Sequence, residues 1–315
     1  MRILVTGGAG FIGSNLVDEL IELQHEVAVV DNYITGKKEF ENSKANYFNV
    51  DISSDCLKTV FKNFQPEIVY HLAAQVDVTT SIEKPLYDEK INISGCVNVL
   101  ECCREFKVKK VIYSSSAAVY GKPEIIPINE SHPTKPLSFY GISKFVPEMY
   151  IETYSSLFDI EFTILRYGNA YGPRQAYKGE GGVISIFINK ALKNEEIFIY
   201  GDGEQTRDFI FVKDIVSANI AALTKGRNEI FNISCNEVIS LNNLYKIIEG
   251  FSGHNNKINY LPQRTGDIRE SWLDNTKAKI NLEWKPKYGL KEGINETINY
   301  YKYQEQYLLK GKDNE

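Results

Sequence analysis

No run of this chain approaches the roughly 20 consecutive apolar residues that a bilayer-spanning helix requires, so no membrane partner is expected. Cysteine is scarce: Cys56, Cys96, Cys102, Cys103 and Cys235 make five, an odd number without metal-ligand spacing. They predict neither a disulfide framework nor a metal centre, and we read them as reduced and structural. Histidine is scarcer still, and His25, His71, His132 and His254 match no metal-binding pattern. Nor is there an excess of positive charge. Lys and Arg number 36 against 41 Asp and Glu, a formal net charge of -5, with no basic block to neutralise a phosphodiester backbone. Nucleic acid is therefore not an expected partner. Met1-Arg2-Ile3 leads straight into a strand pattern without an apolar leader, so a cytoplasmic protein is expected.

What the chain does have is length and apolar content: 315 residues, 43% hydrophobic, enough to bury a full core. In its first half the runs Ile3-Leu4-Val5, Val27-Ala28-Val29-Val30, Ile68-Val69-Tyr70 and Val111-Ile112-Tyr113 alternate with helical patterns, the first over about Phe11 to Leu23. Such alternation predicts an α/β Rossmann fold, a doubly wound parallel sheet with helices on both faces. A further strand, Phe162-Thr163-Ile164-Leu165, closes this region. Beyond it Gly172-Pro173, Gly179 and Gly181-Gly182 break the pattern until a helix over about Ile184 to Lys193. This places a dinucleotide-binding domain over residues 1–166. Residues 208–235 are expected to return to it through the strand-like Phe209–Val212 and Ile230–Ile233, leaving a smaller substrate domain over 167–207 and 236–315.

Ligands of doubly wound sheets bind beyond the carboxyl ends of the strands, which is where the motifs fall. Thr6-Gly7-Gly8-Ala9-Gly10-Phe11-Ile12-Gly13 joins the first strand to the first helix with a G-x-x-G-x-x-G spacing. Glycines there let the backbone approach a pyrophosphate whose charge the helix N-terminus meets, so Gly7, Gly10, Phe11, Ile12 and Gly13 form the candidate cradle. Asp31 ends the second strand, where a carboxylate can accept both ribose hydroxyls and would repel a 2′-phosphate; with Asn32 beside it, it favours NAD over NADP.

Tyr140 and Lys144 stand four apart, on one face of a predicted helix, and follow Ser114-Ser115-Ser116 at the end of the fourth predicted strand. A hydroxyl, a phenol and an ammonium can thus converge beside a nicotinamide. A tyrosine with an ordinary pKa of about 10 becomes a base near neutrality only where positive charge stabilises its phenolate, and Lys144 and the nicotinamide cation would supply that charge.

On these motifs the chain resembles the extended short-chain dehydrogenase/reductase superfamily and, within it, the NAD-dependent UDP-glucose/UDP-galactose 4-epimerases, over nearly its whole length. The resemblance implies that Ser116 is the catalytic hydroxyl at the sugar's O4, that Asp51 and Ile52 lie by the adenine, and that His71-Leu72-Ala73-Ala74 lines the cofactor cleft. Leu165-Arg166-Tyr167-Gly168-Asn169, Gly201-Asp202-Gly203, Arg207-Asp208-Phe209 and Arg264-Thr265-Gly266-Asp267 resemble the family's nucleotide-sugar site. They imply that Asn169, Arg207 and Arg264 hold a diphosphate, as guanidinium forks do, and that Asp267 binds ribose. Ser271 stands where some epimerases carry a bulky tyrosine against the sugar's C2 substituent. Its small size implies room for an N-acetyl group, hence UDP-GlcNAc/UDP-GalNAc alongside, or in preference to, UDP-glucose/UDP-galactose.

The implied reaction is inversion at C4 through a transient 4-keto sugar: Tyr140 removes the O4 proton as hydride leaves C4, the ketose turns, and hydride returns to its other face. Epimerases of UDP-glucuronate or a dTDP-sugar fit the same pattern. Family dehydratases place Asp-Glu after the catalytic hydroxyl, and decarboxylases use a nearby Glu; here Ala117-Ala118 follows, which argues against both. A non-catalytic NAD sensor would have no need of the Ser116, Tyr140 and Lys144 set. Two departures stand out: Gly168 replaces an aromatic, which widens the expected pocket, and Pro147 should kink the catalytic helix. Family members often dimerise through two helices, here about Leu86 to Phe106 and Tyr140 to Leu157, so a homodimer is implied.

Overall fold

Alternating apolar runs and amphipathic segments give the computed structural model, which describes residues 1–177, 181–263 and 268–312, without the side chains of 305–312, the following order. The first half runs β1 (Arg2–Thr6), α1 (Phe11–Glu22), β2 (Glu26–Asp31), β3 (Asn46–Asn49), α2 (Cys56–Phe64), β4 (Ile68–His71), α3 (Val78–Glu83), α4 (Pro85–Glu89), α5 (Gly95–Glu105), β5 (Lys110–Ser116), α6 (Phe139–Phe158) and β6 (Glu161–Tyr167). The second runs β7 (Asn169–Tyr171), α7 (Val183–Leu192), β8 (Ile197–Tyr200), β9 (Thr206–Arg207), β10 (Phe209–Phe211), α8 (Val212–Ala222), β11 (Glu229–Ile233), β12 (Ile239–Ser240), α9 (Leu241–Ser252), β13 (Ile258–Leu261), β14 (Glu270–Ser271), α10 (Thr276–Asn281) and α11 (Leu290–Lys312).

Seven parallel strands form the central sheet in the order β11-β6-β5-β4-β1-β2-β3. The pleat sends Ile3 and Val5 into one core with α1 and α8, and Leu4 into the other with α2 and α5, so both faces are dry. From β1 the chain winds one way to β2 and β3, then crosses to β4 on the other side. The crevice beyond β1 and β4 is therefore the switch point where such sheets bind ligands. A third core, including Ile184, Phe187, Ile199, Leu244, Ile248 and Ile294, joins α7, α9 and α11 to β8 and β10.

Three differences from the sequence reading have physical causes. Strand β3 was not expected: it is a four-residue edge strand, bounded by asparagines, that pairs only with β2. Phe209–Val212 does not join the central sheet. Gly168 breaks the chain after β6, β10 pairs with β7 beyond it, and Val212 already begins α8, so in this stretch it is β11 that returns. The helix expected over Leu86 to Phe106 is α4, a π-helical turn at Lys90–Ser94, and α5. The turn aims Asn92 inward, where its amide bonds the backbone of Gln75 in both directions and donates to Ser143 Oγ at 2.8 Å. Pro147 lies inside α6, which continues as a helix beyond it. Cys96, Cys102 and Cys103 are buried on α5 and unpaired, and burial pushes their thiols up, Cys96 to about 12 and Cys102 to about 11.

Candidate active site

A cleft of about 1190 Å³ runs across the carboxyl ends of β1, β2, β4 and β5 and on to β9 and α7. Its first end is the turn between β1 and α1. Gly7 has φ +71°, and a Cβ on it would lie 2.7 Å from Ala73 N; one on Gly13 would lie 2.1 Å from Gly7 O. Only glycine permits so tight a winding. Gly10 caps α1 without any side-chain bond, leaving this helix end to face the cleft, whose walls include Phe11, Ile12, Leu72, Ala73 and Ala74. Asp31, at the end of β2, accepts from Ala9 N and Tyr33 N, both at 2.9 Å. Burial raises its carboxyl pKa, and those two N–H groups oppose the rise. Asn32 lines the cleft and donates to Asp51 Oδ2 at 2.9 Å. Asp51 is held by Ser53 and is not itself on the wall, although Val50 and Ile52 are.

In the middle of the cleft β5 meets α6. Ser116, the last residue of β5, accepts from Ala118 N at 3.2 Å and so shapes the turn that follows. Ser138 caps α6 by accepting from Gly141 N, and Gly141 packs so closely that a Cβ would stand 2.8 Å from Ala118 O. The first turn of α6 is thereby pressed onto the turn after Ser116, which puts Tyr140, Lys144 and Ser116 on the same wall. Lys144 is buried; its Nζ donates to Ser114 O at 2.7 Å and lies 5.1 Å from the centre of the Tyr113 ring. Burial lowers its pKa to about 8, and Cys96, Asp88 and Glu148 oppose the fall. His71 stacks on Tyr113, with Nδ1 2.8 Å from Thr6 Oγ1; burial, then the Lys144 charge, lowers its pKa to about 3, so it is neutral and structural.

The far end is assembled from short strands. Asn169 on β7 donates through Nδ2 to Asp208 O at 2.8 Å, and Arg207 on β9 donates to Thr206 O at 2.8 Å; both line the cleft. Asp208 is buried, accepting from Cys235 N and Asn236 N, and desolvation pushes its carboxyl to about 7. Ser271 pairs with Arg207 between β14 and β9 and is half-buried, but it is not on the cleft wall. Arg264 and Asp267 lie outside the described residues. The sequence reading missed several wall residues: the cations Lys37, Arg174 and Lys190, and the amides Gln175 and Gln205, whose Oε1 atoms are buried with no partner among the described residues. Only the Gly172-Pro173 break hinted at Arg174 and Gln175; nothing in the local pattern pointed to the others.

A family model described as the NAD-dependent epimerase/dehydratase family matches residues 3–234. A Methanocaldococcus jannaschii protein named provisionally as a UDP-glucose 4-epimerase is 48% identical over 301 residues, 95% of this chain and 98% of that one. The crystal structure of a Thermotoga maritima UDP-glucose 4-epimerase with UDP-glucose superposes with a TM-score of 0.95 at 43% identity, covering 96% of this chain and 99% of that one. A UDP-N-acetylglucosamine 4-epimerase from Methanobrevibacter ruminantium, in complex with UDP-N-acetylmuramic acid, gives 0.92 at 34% identity, covering 96% and 98%.

Proposed function

The chain belongs to the NAD-dependent epimerase/dehydratase family, and from that premise we propose that it inverts the C4 hydroxyl of a UDP-hexose. One observation carries the reading: Ser116, Tyr140 and the buried Lys144 share one wall of the cleft, between the glycine turn and Arg207. The tight turn at Gly7 and Gly13, the α1 N-terminus without a side-chain cap, and the carboxylate of Asp31 fit a dinucleotide without a 2′-phosphate. NAD⁺ held by Gly7, Gly10, Gly13 and Asp31 would supply reversible hydride acceptance at the sugar's C4, with no net oxidation.

The chain's own residues do the rest. Tyr140 takes the O4 proton and later returns it; Ser116 orients O4 in both passes; Lys144 stabilises the phenolate with a charge held close by Ser114 O. Asn169, Arg207, Arg264 and Asp267 hold the nucleotide, so that binding energy remote from C4 keeps the 4-keto sugar in place while it turns. Residues 167–207 and 236–315 form the unit that supplies most of these contacts. Elimination or decarboxylation is disfavoured because the acids on the described cleft wall are Asp31 and Asp77, and Asp77 is engaged in capping α3.

For the sugar, the small Ser271, although it lies off the cleft wall, and the absence of an aromatic at Gly168 on that wall support acceptance of UDP-GlcNAc/UDP-GalNAc alongside UDP-glucose/UDP-galactose. For assembly, exposed Ile82, Leu86, Ile142, Met149, Tyr150 and Leu157 on α3, α4 and α6 support a homodimer through these helices. A single boundary at monomer mass in sedimentation would refute it.

The deciding experiment is incubation of the protein, without added cofactor, with UDP-glucose and separately with UDP-GlcNAc, following C4 inversion by proton NMR. Inversion of both is expected. Inversion of neither, even with NAD⁺ supplied, would overturn the reading.

A further inference from the structure

Packed against the wall that carries Ser116, Tyr140 and Lys144, and reaching it at Ser115, is a buried charged cluster that the reaction above does not use. Ser115 and Arg166 are register partners on β5 and β6, and Arg166 is the register partner of Asn232 on β11, so three neighbouring strands place polar side chains in one row. Because successive side chains of a strand alternate, this row faces α6, whereas Ser114 and Ser116 face the other way. Glu148, one turn beyond Lys144 on α6, reaches down onto the row. Its Oε1 accepts from Ser115 Oγ at 2.5 Å and from Arg166 Nε at 3.0 Å, and its Oε2 accepts from Arg166 Nη2 at 2.5 Å. Arg166 Nη1 donates to Tyr120 OH at 2.9 Å, and Tyr120 donates to Asn232 Oδ1 at 2.7 Å. All five residues are at most 3% exposed.

Such a pair is a poor way to gain stability, since desolvating two charges offsets most of their attraction and apolar replacements often do as well. What the cluster does have is geometry. The three elements it ties are the carriers of the reacting groups: β5 ends in Ser116, α6 carries Tyr140 and Lys144, and β6 leads into Asn169. We propose that Ser115, Glu148 and Arg166 are positioning residues that set the distance between the tip of β5 and the first turns of α6, with Ser115 as the latch between them. This rests on the epimerase reading for its effect on rate, but not for its effect on structure.

Ser115→Ala removes the latch and leaves the Glu148–Arg166 pair intact; Ser115→Thr keeps the hydroxyl on a strand-compatible side chain. Because misplacement by about 1 Å costs on the order of 10²-fold in rate, Ser115→Ala should lower kcat by about tenfold or more with KM nearly unchanged, and Ser115→Thr should restore it. Added to Glu148→Gln, Ser115→Ala should lower the rate no further, as expected of groups acting through one another. Independently of activity, hydrogen exchange at residues 114–118 and 139–145 should rise together in Ser115→Ala, with the melting temperature close to that of the parent, and fall back in Ser115→Thr. Unchanged exchange in both segments would overturn the proposal. So would a loss of kcat that merely tracks the melting temperature, or one that Ser115→Thr leaves unrepaired. If the parent inverts no UDP-sugar, the epimerase reading fails, and the exchange data alone decide the latch.

Discussion

At one end of the cleft the candidate site residues sit at or just beyond the tips of β1, β2, β4 and β5, adjacent strands buried on both faces; at the other they sit on β7 and β9, strands of three and two residues. At the first end, side-chain direction follows from the strand period and one glycine turn, and a change there should strike chemistry or cofactor. At the second, Arg207 is placed by pairing with Ile239 and Ser271, far away in the chain, and a change there should strike nucleotide affinity. The two ends thus divide kcat from KM, and that division can be attacked directly.

The largest effect is expected at Tyr140. Tyr140→Phe removes the group proposed to move the O4 proton and should lower kcat by a factor on the order of 10²–10⁴ while bound NAD, measured by absorbance after denaturation, stays the same. Retention of most of the activity would break the comparison at its stronger end.

Next comes pH. Burial lowers the Lys144 pKa to about 8 against an ordinary 10.5, so its ammonium, and with it the support proposed for the Tyr140 phenolate, is lost as pH rises through about 8. Activity should fall there. Stability should move the other way: between 8 and 10.5 the unfolded chain binds the proton more tightly than the folded one, so this residue's contribution to unfolding free energy rises with pH across that window. A kcat profile beside thermal melts at the same pH values tests both signs, and Lys144→Met should remove both dependences.

A smaller, differently distributed effect is expected at the other end. Arg207→Met should raise KM for the UDP-sugar about tenfold, the worth of one charge-assisted hydrogen bond, with kcat nearly retained. A fall in kcat instead would mean that the far end also aligns C4.

The same contrast explains what was legible in the sequence. Strands β1, β2, β4, β5 and β6 announced themselves as apolar runs, and the glycine turn, Asp31 and the Tyr140/Lys144 spacing could be read from local chemistry because each lies within one turn or at one strand end. Strand β3 escaped because an edge strand of Asn46-Tyr47-Phe48-Asn49 has no apolar run to show. The pairing of β10 with β7 escaped because it depends on Gly168 diverting the chain, which no local period encodes. At the far end, Asn169 and Arg207 came only from resemblance, and Gln205 and Lys190 not at all: their places are set by a core assembled from segments between residues 171 and 301. The Ser115–Glu148–Arg166 cluster was equally hidden. Three polar residues on two strands and a helix acquire a common meaning only once the register is known.

The smallest effect, and the sharpest test of the far end, concerns Ser271. It lies half-buried in β14 beside Arg207, and no part of it is on the cleft wall, so a tyrosine there reaches the sugar only if its ring turns inward past β9. If the ring does so, Ser271→Tyr should lower kcat/KM for UDP-GlcNAc by about 10- to 200-fold, the range that one misfitting group commands, and leave UDP-glucose nearly unchanged. A ratio of the two substrates that does not move would show that Ser271 takes no part in sugar selection. Room for a C2 substituent would then have to come from the wall itself, which includes Gly168 between β6 and Asn169.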